Sequence, residues 1–495
     1  MSDNFYKNSF FLILSNLTTG ILGFIFSIIL SRLLGAEGMA LYGLVMPLYN
    51  LFICLMCGGV ITAISKLSAV YYDTHDYYNL RKTIRTTFSF NIIWALIVAV
   101  LVFIFAPQIA NYLIKDSRTI LALRIITPAM IFICLSNIIK GFFYGTSQIL
   151  VPAIIDIGEK ALRVFVILAL LFHFGVKSLE NSVALAYITL VIGEFVSLIF
   201  LYIYYKKYVR PLKGGCIYKE GRVQLAFNVL IISFPLCLNG LSTTVLDTLS
   251  TLILPRRLVA AGLEYSAALN AIGKFSGMSM NIVVFPMLVV GSLITLLIPN
   301  LSKLMNKKDY FLASNRIKEV LKIAMILGLC TLAVAWNMPE DLGYMFFKRR
   351  DLGQFIAFAA LCPPISFVAN ASVGILNGLG KQNLVLKNSI MSSCLELVFL
   401  YVLAGIPQIN VYAFGIAILA SAILMLILNL KEINKNITLN ISIMNFIYVI
   451  LLGILCFFTL RICISLFPSV PKPFFIILGF AFTPLAMVNL KTKKY

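Results

Sequence analysis

The chain has 495 residues, of which 61% are hydrophobic and only 12% are charged. Soluble globular chains carry about 45–50% apolar and about 25% charged residues, so this chain has too few charges to cover a surface in water. The composition excludes a water-soluble protein, a disordered chain and a secreted disulfide scaffold, and it predicts an all-α polytopic membrane protein. The net charge of +21 fits the Lys and Arg that collect in cytoplasmic loops, so we expect no nucleic-acid partner.

About fourteen apolar segments are long enough to be transmembrane helices, since a crossing takes about 20 mostly apolar residues. Numbered 1 to 14, they lie near residues 9–34, 39–69, 87–114, 119–145, 149–174, 182–205, 224–254, 266–302, 319–338, 353–379, 383–405, 410–430, 443–467 and 473–490. Charged or turn-rich stretches separate them.

The basic residues are divided unevenly between the two sets of loops. If the N-terminus is inside the cell, 25 Lys and Arg fall on the cytoplasmic side, Lys140 among them, and 12 fall on the other side. Such a bias sets the orientation of a membrane protein. We therefore expect a multi-pass protein of the cell membrane with both termini in the cytoplasm.

The two halves of the chain resemble each other. Gly141-Phe-Phe-Tyr-Gly145 recurs as Gly374-Ile-Leu-Asn-Gly378, and segment 2 matches segment 8 at nearly the same offset. A same-topology repeat predicts two six-helix bundles with a substrate cavity between them near the midplane. The predicted organisation is an N-terminal six-helix lobe over 1–205, a basic cytoplasmic linker over 206–222, a C-terminal six-helix lobe over 223–430, and two extra helices with a basic tail over 431–495.

Segment 5 carries charges where a membrane helix should be apolar. Asp156, Glu159, Lys160 and Arg163 are spaced i, i+3, i+4 and i+7, which places them on one arc of roughly 100° of a helix. A charge at the centre of a membrane helix costs about 2.5–3.5 kcal/mol, so this face does not contact lipid. Two interpretations remain open: the face lines a wet substrate cavity, or it is a structural network that holds helices together.

Further charges fall inside apolar segments or at their ends. Asp247 lies in segment 7 and Glu194 in segment 6, while Glu396 in segment 11 occupies the repeat position of Arg163. Lys274 in segment 8 either pairs with Asp247 or presents a cation to an anionic head group. Arg32, at the outer end of segment 1, is either a helix-end residue or a substrate contact. The full set of candidate substrate-binding residues is Arg32, Asp156, Glu159, Lys160, Arg163, Asp247, Lys274 and Glu396.

Catalytic and metal chemistry find little support in the sequence. The chain has only 2 His and no Gly-Lys-[Ser/Thr] phosphate loop. We expect no catalytic residue, no metal site and no cofactor, and hence a protein that is not an enzyme.

Several short motifs in the first seventy residues are distinctive. They are Asn16-Leu-Thr-Thr-Gly20, Ser31-Arg-Leu-Leu-Gly-Ala-Glu-Gly38, Leu41-Tyr-Gly43, Pro47 and Gly58-Gly59 followed by Ala63-Ile-Ser-Lys66. The chain resembles, over essentially its whole length, the polysaccharide-exporter and lipid II flippase-like branch of the multidrug/oligosaccharidyl-lipid/polysaccharide (MOP) flippase superfamily.

That resemblance implies an alternating-access flippase of undecaprenyl-linked saccharides, such as the peptidoglycan precursor lipid II for spore cortex synthesis. Its implied partners are the lipid-linked substrate, membrane lipids and cell-wall synthesis proteins. Lipid II flippases carry arginines inside their first helix, whereas this chain has only small or apolar residues from Gly20 to Ser31. Lys160, Arg163 and Lys274 are therefore proposed as substrate cations from their position inside apolar segments.

Two other functions stay open. A multidrug/cation antiporter of the same superfamily would favour a net acidic cavity, and the charges of segment 5 are balanced. A non-transporting scaffold of the cell-wall machinery would need no polar face inside the membrane.

Overall fold

The structure is a computed structural model that describes residues 2–174, 178–212, 219–437, 439 and 443–491. Every regular element in these ranges is a helix, which confirms the all-α class. The chain divides into two compact units, Met1–Leu252 and Ile253–Tyr495, and the division falls inside one long helix.

The first unit is built from six helices and the greater part of a seventh. They are α1 (Ser2–Cys57), α2 (Val60–Asp73), α3 (Tyr77–Gln108), α4 (Ile120–Gly145), α5 (Leu150–Phe174), α6 (Leu179–Val209) and α7 (Arg222–Ala260). At its C-terminal end, α3 continues as a π-turn over Ile109–Ile114.

The second unit begins near the end of α7 and contains eleven more helices. They are α8 (Tyr265–Ile272), α9 (Met280–Val284), α10 (Met287–Asn306), α11 (Tyr310–Asn337), α12 (Pro339–Phe347), α13 (Gly353–Ala359), α14 (Pro363–Gly378), α15 (Gln382–Leu403), α16 (Tyr412–Asn436), α17 (Ile443–Leu466) and α18 (Lys472–Lys491).

Many of these helices have the length and apolar character of membrane spans. In the described part of the chain, 10 helical runs qualify, or 11 when the bent pair α13–α14 is taken as one span. The run Ile13–Asp73 is 61 residues long and contains most of segment 1 and all of segment 2. The charges of α5 keep it out of this number, and in α18 only the shorter apolar stretch Lys472–Thr483 is recognised. The protein is therefore a multi-pass membrane protein, and its helices are consistent with about fourteen crossings.

Glycines place the bends in segments 1 and 2: the first bend falls at the predicted end of segment 1, and the second breaks segment 2 inside its predicted limits. The helix bends sharply at Gly35, with φ of 66°, and runs on without interruption to Cys57. Segment 2 was predicted as one helix, but it breaks at Gly59, whose φ of 73° is the left-handed region that glycine tolerates. A Cβ on the preceding Gly58 would lie 3.0 Å from the Cα of Cys237, so α7 packs directly against this break.

Segment 8 was predicted as a single helix and is instead interrupted twice. A π-turn over Gly273–Ser279 separates α8 from α9, and a break at Pro286 separates α9 from α10. Short π-turns inside α-helices occur often at functional sites, and this one contains Lys274.

The core of the first unit is organised around α4, which packs against α2, α3 and α6. Close contact with α2 depends on a glycine in α4. A Cβ on Gly141 would lie 2.8 Å from the carbonyl oxygen of Ile61 and 3.0 Å from the Cβ of Ile64. Because backbone is nearly touching backbone here, α4 has no room for a side chain at this position.

The second unit has its own core around α11 and α14. Phe367, Ile375 and Leu376 of α14 are fully buried against Ile317 and Ala324 of α11. The C-terminal helices α17 and α18 pack on α11. The two extra helices are therefore part of the second unit.

We predict that Gly141→Val destabilises the protein, because the new side chain overlaps the α2 backbone and overpacking costs about 1–3 kcal/mol. The matched control is Gly158→Ala in α5, where a Cβ would meet nothing within 4 Å. Thermal unfolding of the detergent-solubilised proteins should show a lower midpoint for Gly141→Val only. Equal midpoints for both variants would refute the packing argument.

Candidate functional site

The charged face of α5 is turned toward the neighbouring helices of the first unit. α5 packs against α1 and α6 and touches α4. Arg163, about halfway along α5, is at the centre of this contact. Its Nε pairs with Oε1 of Glu159 one turn earlier, and its Nη2 lies 2.7 Å from Oε1 of Glu194 on α6. The three side chains are 12%, 5% and 8% exposed, so Arg163 bridges two buried carboxylates.

Two lysines complete the set of charges. Lys140 of α4 places its Nζ 2.7 Å from Oδ1 of Asp156, and Lys160 places its Nζ 3.2 Å from Oε2 of Glu159. Lys160 is the most exposed of the three cations, with 34% of its side chain accessible. The ion pairs form one connected group around Arg163 and a separate pair, Lys140 with Asp156. Together these three cations and three carboxylates on three helices are called the network here: Lys140, Asp156, Glu159, Lys160, Arg163 and Glu194.

The network is formally neutral, which explains how six charges are tolerated among apolar helices. Ionised groups inside a membrane protein pair with one another because an isolated charge there is costly. A glycine on α6 makes room for the central pair. A Cβ on Gly193 would lie 2.8 Å from Oε1 of Glu159 and 3.0 Å from Cγ of Arg163. The contact between α5 and α6 is therefore shaped around the ions.

Tyrosines enclose the network on the side of α1. The rings of Tyr42 and Tyr187 stack at 4.8 Å, and the Tyr187 hydroxyl donates to the carbonyl oxygen of Tyr42 at 2.8 Å. Tyr49 is 4% exposed, lies in the electrostatic field of Glu194 and Arg163, and its hydroxyl has no hydrogen-bond partner among the described residues. A buried hydroxyl beside the ions adds a donor to the polar face.

The corresponding helices of the second unit are joined mainly by neutral groups, with one acid, Glu396, among them. Asn388 of α15 donates to Oδ1 of Asn429 of α16 at 2.8 Å, and Asn429 donates to Oγ of Ser372 of α14 at 2.9 Å. Glu396, at the repeat position of Arg163, accepts a hydrogen bond of 3.0 Å from Ser421 of α16. Here amides and hydroxyls connect the three helices.

Lys274 has a different partner from the one considered in the sequence. Its Nζ lies 2.9 Å from Oδ2 of Asp351, in the turn before α13, rather than pairing with Asp247. Arg349 also contacts Asp351, at 2.8 Å. The hydrogen bond from Arg349, and then that from Lys274, holds the pKa of the Asp351 carboxyl well below its usual range, so this acid is charged.

Two of the remaining candidates do not lie in a buried site. Asp247 was expected to be buried, but it is exposed on α7. Arg32 is exposed near the bend of α1, two residues before Leu34. The structure thus groups Asp156, Glu159, Lys160 and Arg163 in one site and places Lys274 and Glu396 in the second unit.

The sequence reasoning missed Lys140 and the tyrosines. Lys140 was assigned to a cytoplasmic loop, whereas it lies inside α4 with 16% of its side chain exposed. Its position within the limits of segment 4 could have indicated a buried ion pair, because a lysine inside a membrane helix needs an acidic partner. Tyr42 lies in the motif Leu41-Tyr-Gly43, but nothing in the sequence linked it to the charges, and nothing marked Tyr49 or Tyr187, since tyrosines are frequent in this chain.

Comparison with known proteins adds three findings. The sequence matches the family described as polysaccharide biosynthesis protein over residues 5–305. It is 23% identical to stage V sporulation protein B of Bacillus subtilis (strain 168) over 456 residues, which cover 92% of this chain and 88% of that protein.

The fold is similar to those of two solved transporters. The lipid II flippase MurJ in an inward closed conformation aligns with a TM-score of 0.69 and 12% identity, over 97% of this chain and 98% of that one. An inward-facing multidrug resistance MATE family transporter of the MOP superfamily aligns with a TM-score of 0.63 and 16% identity, over 86% and 95%.

We predict that Arg163→Gln destabilises the protein by about 3–5 kcal/mol, because it leaves Glu159 and Glu194 buried without their shared cation. The double variant Arg163→Gln/Glu194→Gln should recover part of the loss. Arg316→Gln is the control, since Arg316 pairs with Glu319 at the surface and such pairs contribute about 0–1 kcal/mol. Thermal unfolding in detergent measures all three, and a stable single variant would contradict the bridging role.

Proposed function

The chain belongs to the polysaccharide biosynthesis protein family, and on that premise we propose that it flips an undecaprenyl-linked saccharide across the cell membrane. The solved structures that share its fold are transporters and a flippase, and the chain is likewise a MOP-superfamily transporter rather than an enzyme. The observation that carries the proposal is the network of ion pairs halfway along α5, which provides a polar face among apolar helices.

The chemistry of such a substrate matches a face of this kind. A polyprenyl diphosphate sugar combines an anionic, hydrated head with an apolar tail that remains in lipid. Moving the head requires a groove that supplies hydrogen-bond donors and cations at mid-depth, because an unpaired phosphate in a low-dielectric environment is unfavourable. Hydroxyls, ammonium groups and a guanidinium are all present on this face.

Lys160 and Arg163 are the proposed diphosphate contacts in the first unit. Lys160 makes one contact of 3.2 Å and is one-third exposed, so its ammonium is the most accessible cation. Arg163 has five N–H donors on three nitrogens, and the two glutamates contact two of these nitrogens, Nε and Nη2. A guanidinium can hold phosphate through paired hydrogen bonds. Substrate phosphate would then bind Lys160 and the N–H groups of Arg163 that the glutamates do not engage, so that Glu159 and Glu194 keep their shared cation.

Lys274 is the proposed contact of the second unit. It is held in a π-turn and paired with Asp351, whose other partner is Arg349. Because Asp351 remains paired with Arg349 when Lys274 moves away, Lys274 can exchange its carboxylate partner for a substrate phosphate. Alternating access of a lobe over 1–205 and a lobe over 223–430, joined by the basic linker 206–222, would bring these cations to the substrate in turn.

A more specific part of the proposal concerns which lipid-linked saccharide is transported and which process uses it. We propose a peptidoglycan precursor such as lipid II, used for spore cortex synthesis. Support comes from the likeness to stage V sporulation protein B over most of both chains and to the lipid II flippase MurJ in fold. The expected partners are the lipid-linked saccharide, membrane lipids and cell-wall synthesis proteins.

The transport prediction separates a substrate role from charge balance. In proteoliposomes with a fluorescent lipid II analogue, Lys160→Gln should lower the flipping rate about tenfold or more, since losing one charge-assisted hydrogen bond costs about 1.5–3 kcal/mol. Arg163→Gln should abolish flipping, and Arg163→Lys should restore it in part. Arg316→Gln, which removes a surface charge, should flip at the wild-type rate.

The double variant Arg163→Gln/Glu194→Gln decides between the two roles. A substrate contact predicts that it stays inactive although its stability recovers. Restored flipping would show that Arg163 only balances the carboxylates, and transport of a cationic drug in place of the lipid would favour the antiporter.

We also predict that both termini are cytoplasmic, from the excess of Lys and Arg on one set of loops. A reporter that is active only in the cytoplasm should be active when it is fused after residue 213 or after residue 308. An enzyme such as alkaline phosphatase, which needs an oxidising compartment, should be inactive at both positions. Phosphatase activity at either one would reverse the topology.

A further inference from the structure

A second group of cations surrounds a cavity at the opposite end of the first unit from the bend of α1. The cavity has a volume of about 760 Å³ and is formed where α3 begins, α6 ends and α7 begins. Its basic lining residues are Arg81, Lys82, Arg85, Arg210 and Arg222. None of them forms an ion pair with a carboxylate among the residues that the structure describes. The carboxylate of the neighbouring Glu220 accepts hydrogen bonds from Tyr71 and Asn228 instead.

The fixed contacts of the cluster leave its charge available. Arg81 donates to the carbonyl oxygens of Val209 and Leu212 at the end of α6, and Lys82 donates to the carbonyl oxygen of Glu220 at 2.5 Å. These bonds hold the cations in place without cancelling their charge. The Lys82 ammonium also lies 5.6 Å from the centre of the Tyr78 ring.

Hydroxyl groups add neutral donors to the same wall. Tyr77, Thr86 and Ser89 line the cavity beside the cations. Guanidinium groups and hydroxyls together form the donor set that suits phosphate oxygens, and paired guanidinium bonds favour phosphate over simple halides. Ligand pockets of about 300–1,000 Å³ are usual for small organic ligands, so the volume accommodates a phosphate-bearing head group.

The face of α3 that starts in this cavity becomes apolar further along the helix. Thr86, Ser89, Ile93, Leu96 and Val100 follow one another at helical spacing on one stripe. Ile93 is 60% exposed, Leu96 46% and Val100 52%, so the stripe leaves an apolar track open.

That track ends in a second, apolar pocket between α3 and α4. The pocket has a volume of about 340 Å³, and its lining includes Leu96, Val100, Phe103 and Ile131. Ser89 and Leu96 are about 10 Å apart along the helix, at 1.5 Å per residue. A molecule with a phosphate head and a flexible hydrocarbon tail would fill both pockets at once.

We propose that this cavity binds the head group of a phosphate-bearing lipid, with the lipid tail along α3. The site is separate from the network on α5 and does not depend on which molecule the protein transports. Two membrane lipids share this chemistry, a polyprenyl diphosphate and an anionic phospholipid such as phosphatidylglycerol. The cations recognise the phosphate, and the tail determines how the lipid reaches the site.

The test compares lipid binding to two doubly substituted, full-length proteins in detergent. Arg85→Gln/Arg222→Gln removes two cavity cations, whereas Lys66→Gln/Lys207→Gln removes two exposed lysines of the same unit outside the cavity. The probes are phosphatidylglycerol, undecaprenyl diphosphate and, without a phosphate, diacylglycerol, each measured by native mass spectrometry. Arg85→Gln alone serves if the double variant does not fold.

We expect both phosphate lipids to bind the wild type and the lysine variant alike, and the arginine variant at least about tenfold more weakly. Diacylglycerol should bind all three poorly. Tighter binding of undecaprenyl diphosphate would assign the site to that lipid class, and tighter binding of phosphatidylglycerol would assign it to bulk phospholipid; either supports the proposal. Equal binding to both double variants, or diacylglycerol binding as well as phosphatidylglycerol, would overturn it.

Discussion

The placement of Arg163 between two buried glutamates is the constraint on which the first unit depends. Charges inside apolar helices are tolerated only when they are paired. Glu159 and Glu194 lie on different helices and share one guanidinium, so α5 and α6 cannot separate without exposing a charge to lipid. The pairing of Lys140 with Asp156 extends the same constraint to α4. Three helices are thus held in one arrangement by ions rather than by shape alone.

In the second unit, neutral groups join the three corresponding helices. Asn388, Asn429 and Ser372 form a chain of hydrogen bonds across α14, α15 and α16. Amide groups cost much less to bury than charges and hold helices with weaker, shorter-range forces. The two units therefore share an architecture and differ in electrostatics. The polar layer of α4, α5 and α6 is made of paired charges, and that of α14, α15 and α16 is made mainly of dipoles.

Sequence reasoning reached the class of fold and most of the site, for identifiable reasons. Long apolar segments predict membrane helices because length and composition suffice, and the spacing of Asp156, Glu159, Lys160 and Arg163 predicts one helical face. The ion-pair partners that lie on other helices were harder to predict from the sequence. Lys140 lies sixteen residues from Asp156 along the chain, and the four helices α9 to α12 separate Lys274 from Asp351. Such contacts depend on packing, which one sequence does not report.

The π-turn over Gly273–Ser279 has a consequence for how the second unit varies. A π-turn accommodates one residue more than the same turn of an α-helix, so it holds an inserted residue without ending the helix. Loss of a single residue there would turn it into an ordinary α-helical turn and leave the orientation of the following helix nearly unchanged, whereas the same loss from a regular helix would rotate everything that follows by about 100°. Homologues that lack one residue in this turn would therefore be expected to keep the following helix facing the same neighbours, and those that lack one residue elsewhere in the helix would not.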